Sequence, residues 1–281
     1  MQVLEAAAAA TTNPWPLRRE RAAELAERYP HAAEMLRLYQ ALTVVQEAAY
    51  KRLSPLAGEG QGGGSLDIAA IAVKGVLPGV IDVTVEAGPP SLRDGVITLY
   101  ATANLEDLIQ RWLDQQPLTA VETYLARASA SPLLEAFLTP QPDPPPQGRM
   151  ENEGQGGGSH HCPACGGLPQ LSYFALSGEA LVSGPRYLVC ARCSHNWVFS
   201  RMTCAACGER ETHRLPIYQE GEYMPHMRAD ACESCHRYLL TIDLRKDARA
   251  IPIVDELAGV PLDLYAQERG MTKITPNLLG N

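Results

Sequence analysis

The chain has no cysteine before residue 162 and none after residue 235. It is poor in aromatics, which make up 6% of its 281 residues and include three phenylalanines. It has no basic excess either: 24 Lys and Arg face 32 Asp and Glu, for a formal net charge of −8. A nucleic-acid-binding protein ordinarily carries a basic face that neutralises phosphates, so this balance disfavours one. No stretch approaches the roughly 18 apolar residues of a membrane-spanning helix. The first ten residues do not read as a signal peptide, because no basic residue precedes the alanine run and Glu5 breaks the apolar stretch. The expected compartment is therefore cytoplasmic, where thiols stay reduced. The glycine-rich runs are not followed by Lys-Ser/Thr, which argues against a phosphate cradle. No Ser/His/Asp constellation stands out, the Asp/Glu pairs read as helix-surface charges, and no enzyme activity is expected.

What is present is concentrated. All eight cysteines form four Cys-x-x-Cys pairs: Cys162/Cys165, Cys190/Cys193, Cys204/Cys207 and Cys232/Cys235. The second four lie 42 residues after the first four, so the segment is a duplicated unit. Two residues between cysteines let a tight turn aim both sulfurs at one ion, and two such knuckles close a tetrahedral site. The repeat favours local grouping, with Cys162, Cys165, Cys190 and Cys193 in one site and Cys204, Cys207, Cys232 and Cys235 in the other. A crossed grouping would break the repeat. Disulfides need an oxidising compartment, and a redox pair would open a helix in a βαβ setting; neither suits four pairs flanked by strands. Glycine follows the second cysteine at Gly166 and Gly208, where the turn wants positive φ. Ser194 and His236 stand at the other two positions, which predicts two regular knuckles and two looser ones. His195 and His236 lie just past knuckles and read as surface or supporting groups, and His160-His161 as a linker end.

A site closed by four cysteines leaves no open coordination position, so water activation at the metal is not expected. Each unit has about 40 residues, a size at which an apolar core alone is rarely enough. The metal is therefore expected to hold the fold. Zinc and iron both accept four thiolates, and spacing does not separate them.

Around these units the chain reads as α+β. Residues 1–139 form a mainly helical domain, 140–159 a Pro/Gly-rich linker, 160–201 and 202–245 the two four-cysteine modules, and 246–281 a C-terminal helical tail. Helices are predicted from about 17 to 28 and along the stripe Met35, Leu38, Leu42, Val45, Ala49 and Leu53, ending near Ser54-Pro55. Others are predicted over about 105–115, from Thr119 to Ala128, and after a new start at Ser131-Pro132. Ile81–Val85 and Val96–Tyr100 have β-branched content and read as strands broken by Gly88-Pro89-Pro90. The sequence Glu-Gly-Gln-Gly-Gly-Gly-Ser occurs at 59–65 and again at 153–159, as in flexible linkers. Hairpin turns are expected at Ser177-Gly178 and Glu220-Gly221, and Trp197 is expected to pack over the metal lobe. Pro276-Asn277-Leu278-Leu279 reads as an extended, exposed end.

Residues 160–281 resemble the formate dehydrogenase accessory protein FdhE family. The likeness rests on Cys162-Pro163-x-Cys165-Gly166 with Leu168-Pro169, and on Arg186-Tyr187-Leu188-x-Cys190-x-x-Cys193. It continues through Trp197, Arg201, Cys204-x-x-Cys207, Cys232-x-x-Cys235 and Tyr238-Leu239. Asp243-Leu244-x-Lys246-Asp247, Asp255-Glu256-Leu257, Asp263-Leu264 and Pro276-Asn277 complete it. Leu240 departs from the lysine that the family often has there. The resemblance implies a mostly helical N-terminal domain followed by two tandem rubredoxin-like, zinc-ribbon-type four-cysteine modules. It implies two metal ions, iron (Fe2+/Fe3+) rather than zinc. It also implies a non-catalytic maturation factor that binds the catalytic subunit of formate dehydrogenase in the cytoplasm. The residues alone leave two other readings open, a zinc-ribbon nucleic-acid binder and a rubredoxin-like electron carrier or redox sensor.

Overall fold

The structure is a computed structural model that describes residues 13–57, 67–138, 158–176 and 184–280. The first glycine-rich copy, the second up to residue 157, the Pro-rich segment and the turn at Ser177-Gly178 lie outside the described residues. The helical part comprises α1 (Trp15–Arg28), α2 (Ala33–Ala57), α3 (Ile68–Gly75), α4 (Leu77–Ala87), α5 (Pro90–Thr102), α6 (Leu105–Leu113) and α7 (Ala120–Leu138). The sheet part comprises β1 (Pro169–Phe174), β2 (Arg186–Cys190), β3 (Asn196–Phe199), β4 (Ile217–Tyr218), β5 (Met227–Cys232) and β6 (Arg237–Asp243). The short helices α8 (Pro252–Asp255) and α9 (Val260–Gln267) follow, and then β7 (Thr272–Lys273).

The stripe on α2 holds: Leu36, Leu38, Tyr39, Leu42, Ala49 and Tyr50 are buried. The helix runs past Ser54-Pro55 to Ala57. The two predicted strands over 81–100 are helices α4 and α5 instead. The alternation Ile81-Asp82-Val83-Thr84-Val85 misleads because its one buried residue is the polar Thr84. The α4 core face is Leu77, Val80 and Thr84, at helical spacing. Thr84 returns its hydroxyl to the Val80 carbonyl at 2.6 Å and meets the Tyr124 hydroxyl, which satisfies it inside. Only Val96 is buried on α5, while Ile97 and Tyr100 are exposed.

Ser131-Pro132 does not start a new helix. Pro132 lies within the continuous α7. Proline there leaves the Ala128 carbonyl without its usual i+4 donor, and the side chain of Gln46 on α2 donates to that carbonyl at 2.9 Å. A tertiary contact thus replaces the bond that proline removes. The helix does begin as expected: Thr119 accepts from the Glu122 N–H while the Glu122 carboxylate accepts from the Thr119 N–H, a reciprocal cap. No single helix among the described residues is long and apolar enough to cross a membrane. The apolar pair α3–α4 is bent by 48°, and its Ala69, Ala72, Leu77 and Val80 lie in the core.

The two cysteine units merge into one sheet of strand order β3-β2-β1-β6-β5-β4, with β7 beside β6. Within each unit the strands are antiparallel. The units join through a parallel pairing of β1 with β6, from Leu171 opposite Leu240 to Phe174 opposite Asp243. Their hydroxyls meet at the seam, Ser172 to Thr241 at 2.6 Å. The predicted turn at Glu220-Gly221 lies between β4 and β5, and the Glu220 carboxylate accepts from the N–H groups of Glu222, Tyr223 and Met224.

The helical part and the sheet share both apolar cores. One core joins Trp15, Leu38, Trp112 and Leu125 to Leu188, Trp197 and three cysteines of the first cluster. The other joins Leu25, Leu36 and Tyr39 to Met227, Tyr238, Leu240 and Leu257. Gly259 lets the tail lie against the sheet, since a Cβ there would sit 2.4 Å from the Leu240 side chain. The chain end is not exposed as a whole. Asn277 is buried, Leu278 and Leu279 pack against both cores, and Arg127 of α7 donates to the Pro276 carbonyl at 2.8 Å. Asp255, Glu256 and Asp263 are likewise buried rather than surface charges. Arg21 pairs with Asp255, and Lys273 with Glu256 and Asp263.

Candidate metal centres

Each cysteine cluster grows from two knuckles. In the first, Gly166 donates its N–H to the Cys162 carbonyl at 2.9 Å, and Cys162 donates to the Gly167 carbonyl at 2.8 Å. The second repeats this as Gly208 to Cys204 and Cys204 to Glu209. All four residues that follow a knuckle have positive φ: Gly166 +70°, Ser194 +56°, Gly208 +80° and His236 +55°. The expected distinction between regular and looser knuckles is therefore not seen. The turn imposes the left-handed conformation on serine and histidine as well, at a small steric cost.

The sulfurs gather as the repeat predicts. Cys162, Cys165, Cys190 and Cys193 form one group and Cys204, Cys207, Cys232 and Cys235 the other, each with its sulfurs within 4.8 Å of one another. All eight are free thiols. In the first group the sulfurs are 3.7 Å apart for Cys162–Cys193, 3.5 Å for Cys165–Cys193 and 3.3 Å for Cys165–Cys190. In the second, Cys204–Cys235 and Cys207–Cys232 are each 3.7 Å apart. Four sulfurs at about 2.3 Å from a tetrahedral ion would lie about 3.8 Å apart, so both groups fit one ion each.

Their electrostatics point the same way. The crowded neighbours Cys162 and Cys165 push the Cys190 and Cys193 thiols up, while bonds from Cys165, Cys190 and Cys193 draw Cys162 down. In the second group burial lifts Cys204 to about 11 and also raises Cys235. Cys232 is drawn down against burial, by the N–H groups of Cys235 and Ser234. Four crowded thiolates repel one another, and a bound cation would offset that charge. Both could hold zinc or iron.

The clusters differ in their surroundings. Cys162, Cys190 and Cys193 are buried and Cys165 is half-buried, whereas Cys207 of the second group is exposed. Arg192 binds the first group to the helices. It donates to the Leu113 carbonyl at 2.6 Å and to the Cys165 carbonyl at 3.4 Å, with its guanidinium 5.0 Å from the Trp112 ring. Trp197 is in the core as expected, and its indole N–H also holds the Ser159 carbonyl at 2.8 Å. His160 reaches the Ala205 carbonyl at 2.9 Å and ties the first unit to the second knuckle pair. Neither His195 nor His236 joins a ligand group among the described residues.

A third group, His226, Asp247 and Asp255, was not legible in the sequence. Its centre is taken by Arg21, which binds Asp255 through Nε and Nη2 and Asp247 through Nη2 at 2.8 Å. His226 bonds Asp255 at 3.0 Å. It is an ion-pair network that fastens α1 to the tail. Charged residues spaced over 230 positions leave no local pattern.

The FdhE central-domain family model matches residues 161–201, and the FdhE C-terminal-domain model matches residues 202–279. A protein FdhE homolog of Aquifex aeolicus is 27% identical over 203 residues, covering 72% of this chain and 68% of that protein. One from Haemophilus influenzae is 34% identical over 114 residues, 41% of this chain, and the match spans only 36% of that relative. The crystal structure of the FdhE protein from Pseudomonas aeruginosa superposes with a TM-score of 0.63, over 96% of this chain and 98% of that one, at 24% identity; it shows the same fold. Two consecutive domain models, in the order and at the positions of the two cysteine units, make residues 161–279 similar to the central and C-terminal domains of the FdhE family.

Proposed function

We propose that this chain is a non-catalytic accessory protein that binds the catalytic subunit of formate dehydrogenase in the cytoplasm and assists its maturation. The observation that carries the reading is the pair of four-sulfur groups set in one continuous sheet, in a chain similar to the FdhE family over residues 161–279. Cys162, Cys165, Cys190 and Cys193 would hold one ion, and Cys204, Cys207, Cys232 and Cys235 a second. Bound there, the ions supply cross-links that fix the sheet, with no open position for a substrate. The chain's own residues do the rest. The parallel β1–β6 seam makes one surface of two units, and Arg192 and Arg127 brace it against the helices.

Co-purification with a cognate catalytic subunit tests the reading. Retention by the intact chain, lost when cysteines of both groups become serine, supports a metal-fixed docking surface. Retention unaltered by those changes shows that the metal lobe is not the docking element. Metal analysis of anaerobically purified protein assigns the ion, since two irons give a coloured oxidised form and two zincs give none.

A second reading, a rubredoxin-like electron carrier, draws support from the exposed Cys207, which brings the second site to the surface. Reversible bleaching of a coloured protein on reduction would favour it.

A further inference from the structure

Phe174, one of three phenylalanines in the chain, ends β1 at the seam between the two units. Three guanidiniums face its ring: Arg201 at 4.6 Å, Arg228 at 4.8 Å and Arg245 at 5.0 Å. Arg201 and Arg228 are also the wall of an adjoining groove, lined by Met202, Thr203, Ile217 and Arg237 among others. Arg186 lies at its floor, buried, donating to the Ser200 and Thr203 carbonyls. Among the described residues these five arginines meet only two carboxylates. Asp230 takes Arg186 and Arg228, and Asp243 takes Arg245. Neither Arg201 nor Arg237 has a carboxylate within ion-pair distance among the described residues. The local balance is therefore positive on a chain of net charge −8.

Two further features belong to the groove. The Thr203 hydroxyl, in a residue only 4% exposed, has no hydrogen-bond partner among the described residues. Met202 and Ile217 stand 56% and 52% exposed at its rim, an apolar patch beside the charges. Guanidiniums stacked on one ring repel one another unless an anion lies between them. Burial, with Arg245 and Arg228 facing it, holds the Arg201 guanidinium below its ordinary range.

We propose that this groove is the docking site for an acidic segment of a protein partner, its carboxylates on Arg201, Arg228 and Arg237 and an apolar side chain against Met202 and Ile217. The inference rests on the protein-accessory reading above and names the surface and chemistry by which the partner is held. The groove commits to a peptide rather than a nucleic acid. It is one charged depression with an apolar rim, whereas a nucleic-acid backbone is held along an extended basic face. Cys204 lines the same groove, so the second cluster shapes it.

The experiment uses the metal-loaded full chain and a fluorescein-labelled ten-residue peptide alternating glutamate with leucine, read by anisotropy. Saturable binding is expected, weakening as salt rises and falling about tenfold in Arg201→Glu and in the surface variant Arg237→Glu. Arg93→Glu on α5, outside the groove, leaves it unchanged, and the glutamine version of the peptide does not bind. Circular dichroism and metal content establish that each variant is folded. Binding unaltered in both groove variants overturns the proposal, as does equal competition by single-stranded DNA or inorganic phosphate. Co-purification of the catalytic subunit runs in parallel. If the intact chain and Arg237→Glu retain the subunit equally, and the peptide shows no dependence on the groove, the groove proposal falls and the accessory reading stands. If the intact chain retains no subunit but binds the peptide through the groove, the accessory reading falls and the groove stands.

Discussion

The two cysteine clusters are copies by sequence, yet each is closed in its own way. The 42-residue offset places Gly167 of the first opposite Glu209 of the second, and Arg192 opposite Ser234. In the second cluster the Glu209 carboxylate accepts from the Ser234 hydroxyl at 2.5 Å, so one knuckle clasps the other. In the first, Arg192 crosses outward to the helices, and glycine at 167 makes room, since a Cβ there would lie 2.9 Å from the Arg192 side chain and 3.1 Å from the Cys190 sulfur. Two substitutions turn a self-contained, solvent-facing site into one that is built into the body of the protein. The duplicated unit supplies the four-sulfur geometry, while the residues between the cysteines decide what each group is attached to.

The largest test of that contrast is metal removal. Complete chelation is expected to abolish the β-sheet signal in circular dichroism, because a structural site contributes on the order of 10–16 kcal/mol, comparable to a whole domain's stability. Release should come in two steps, followed with a chromogenic chelator. The second cluster, with Cys207 exposed, goes first. Simultaneous release at one rate would erase the distinction between the sites. Next in size, Gly167→Val crowds Cys190 and displaces Arg192, an overpacking cost of about 1–3 kcal/mol. Thermal melting should show it, with metal lost from the first site and not the second.

Arg192→Ala should cost less, about 1–2 kcal/mol for lost hydrogen bonds to two carbonyls. It should speed hydrogen exchange at α6 without changing the metal stoichiometry. The smallest effect is expected at Glu209. Bonds from the Ser234 hydroxyl and from the Glu211 and Arg210 N–H groups hold its carboxyl at about 2, below its ordinary 4.5. A depressed carboxyl stabilises fully above its unfolded value and loses that contribution as pH falls from about 4.5 towards 2. Glu209→Gln should therefore make metal release from the second site less dependent on pH over that window, by about twofold in rate. An identical profile would show that the clasp is idle.

The cysteine framework was legible because its signal is local. Two-residue gaps and a 42-residue repeat are enough to define four knuckles and their grouping. The stripe of α2 and the reciprocal cap at Thr119 were legible for the same reason. Residues 81–100 were not, because β-branched residues suit a strand in isolation, and only the partner Tyr124 makes Thr84 a core residue. Pro132 misled equally. A proline ends a helix unless something else serves the freed carbonyl, and Gln46 comes from 82 residues before that carbonyl in the chain.

Local sequence was enough to say where the sulfurs lie, how they group and that the chain combines helices with two small sheet units, since cysteine spacing and side-chain period act over a few residues. Only the closed fold shows that the two units share one sheet through β1 and β6, that both cores cross from helices to sheet, and that three arginines converge on Phe174. Those contacts join residues far apart in the chain, and their energies come from burial and charge pairing that exist only once the chain has closed on itself.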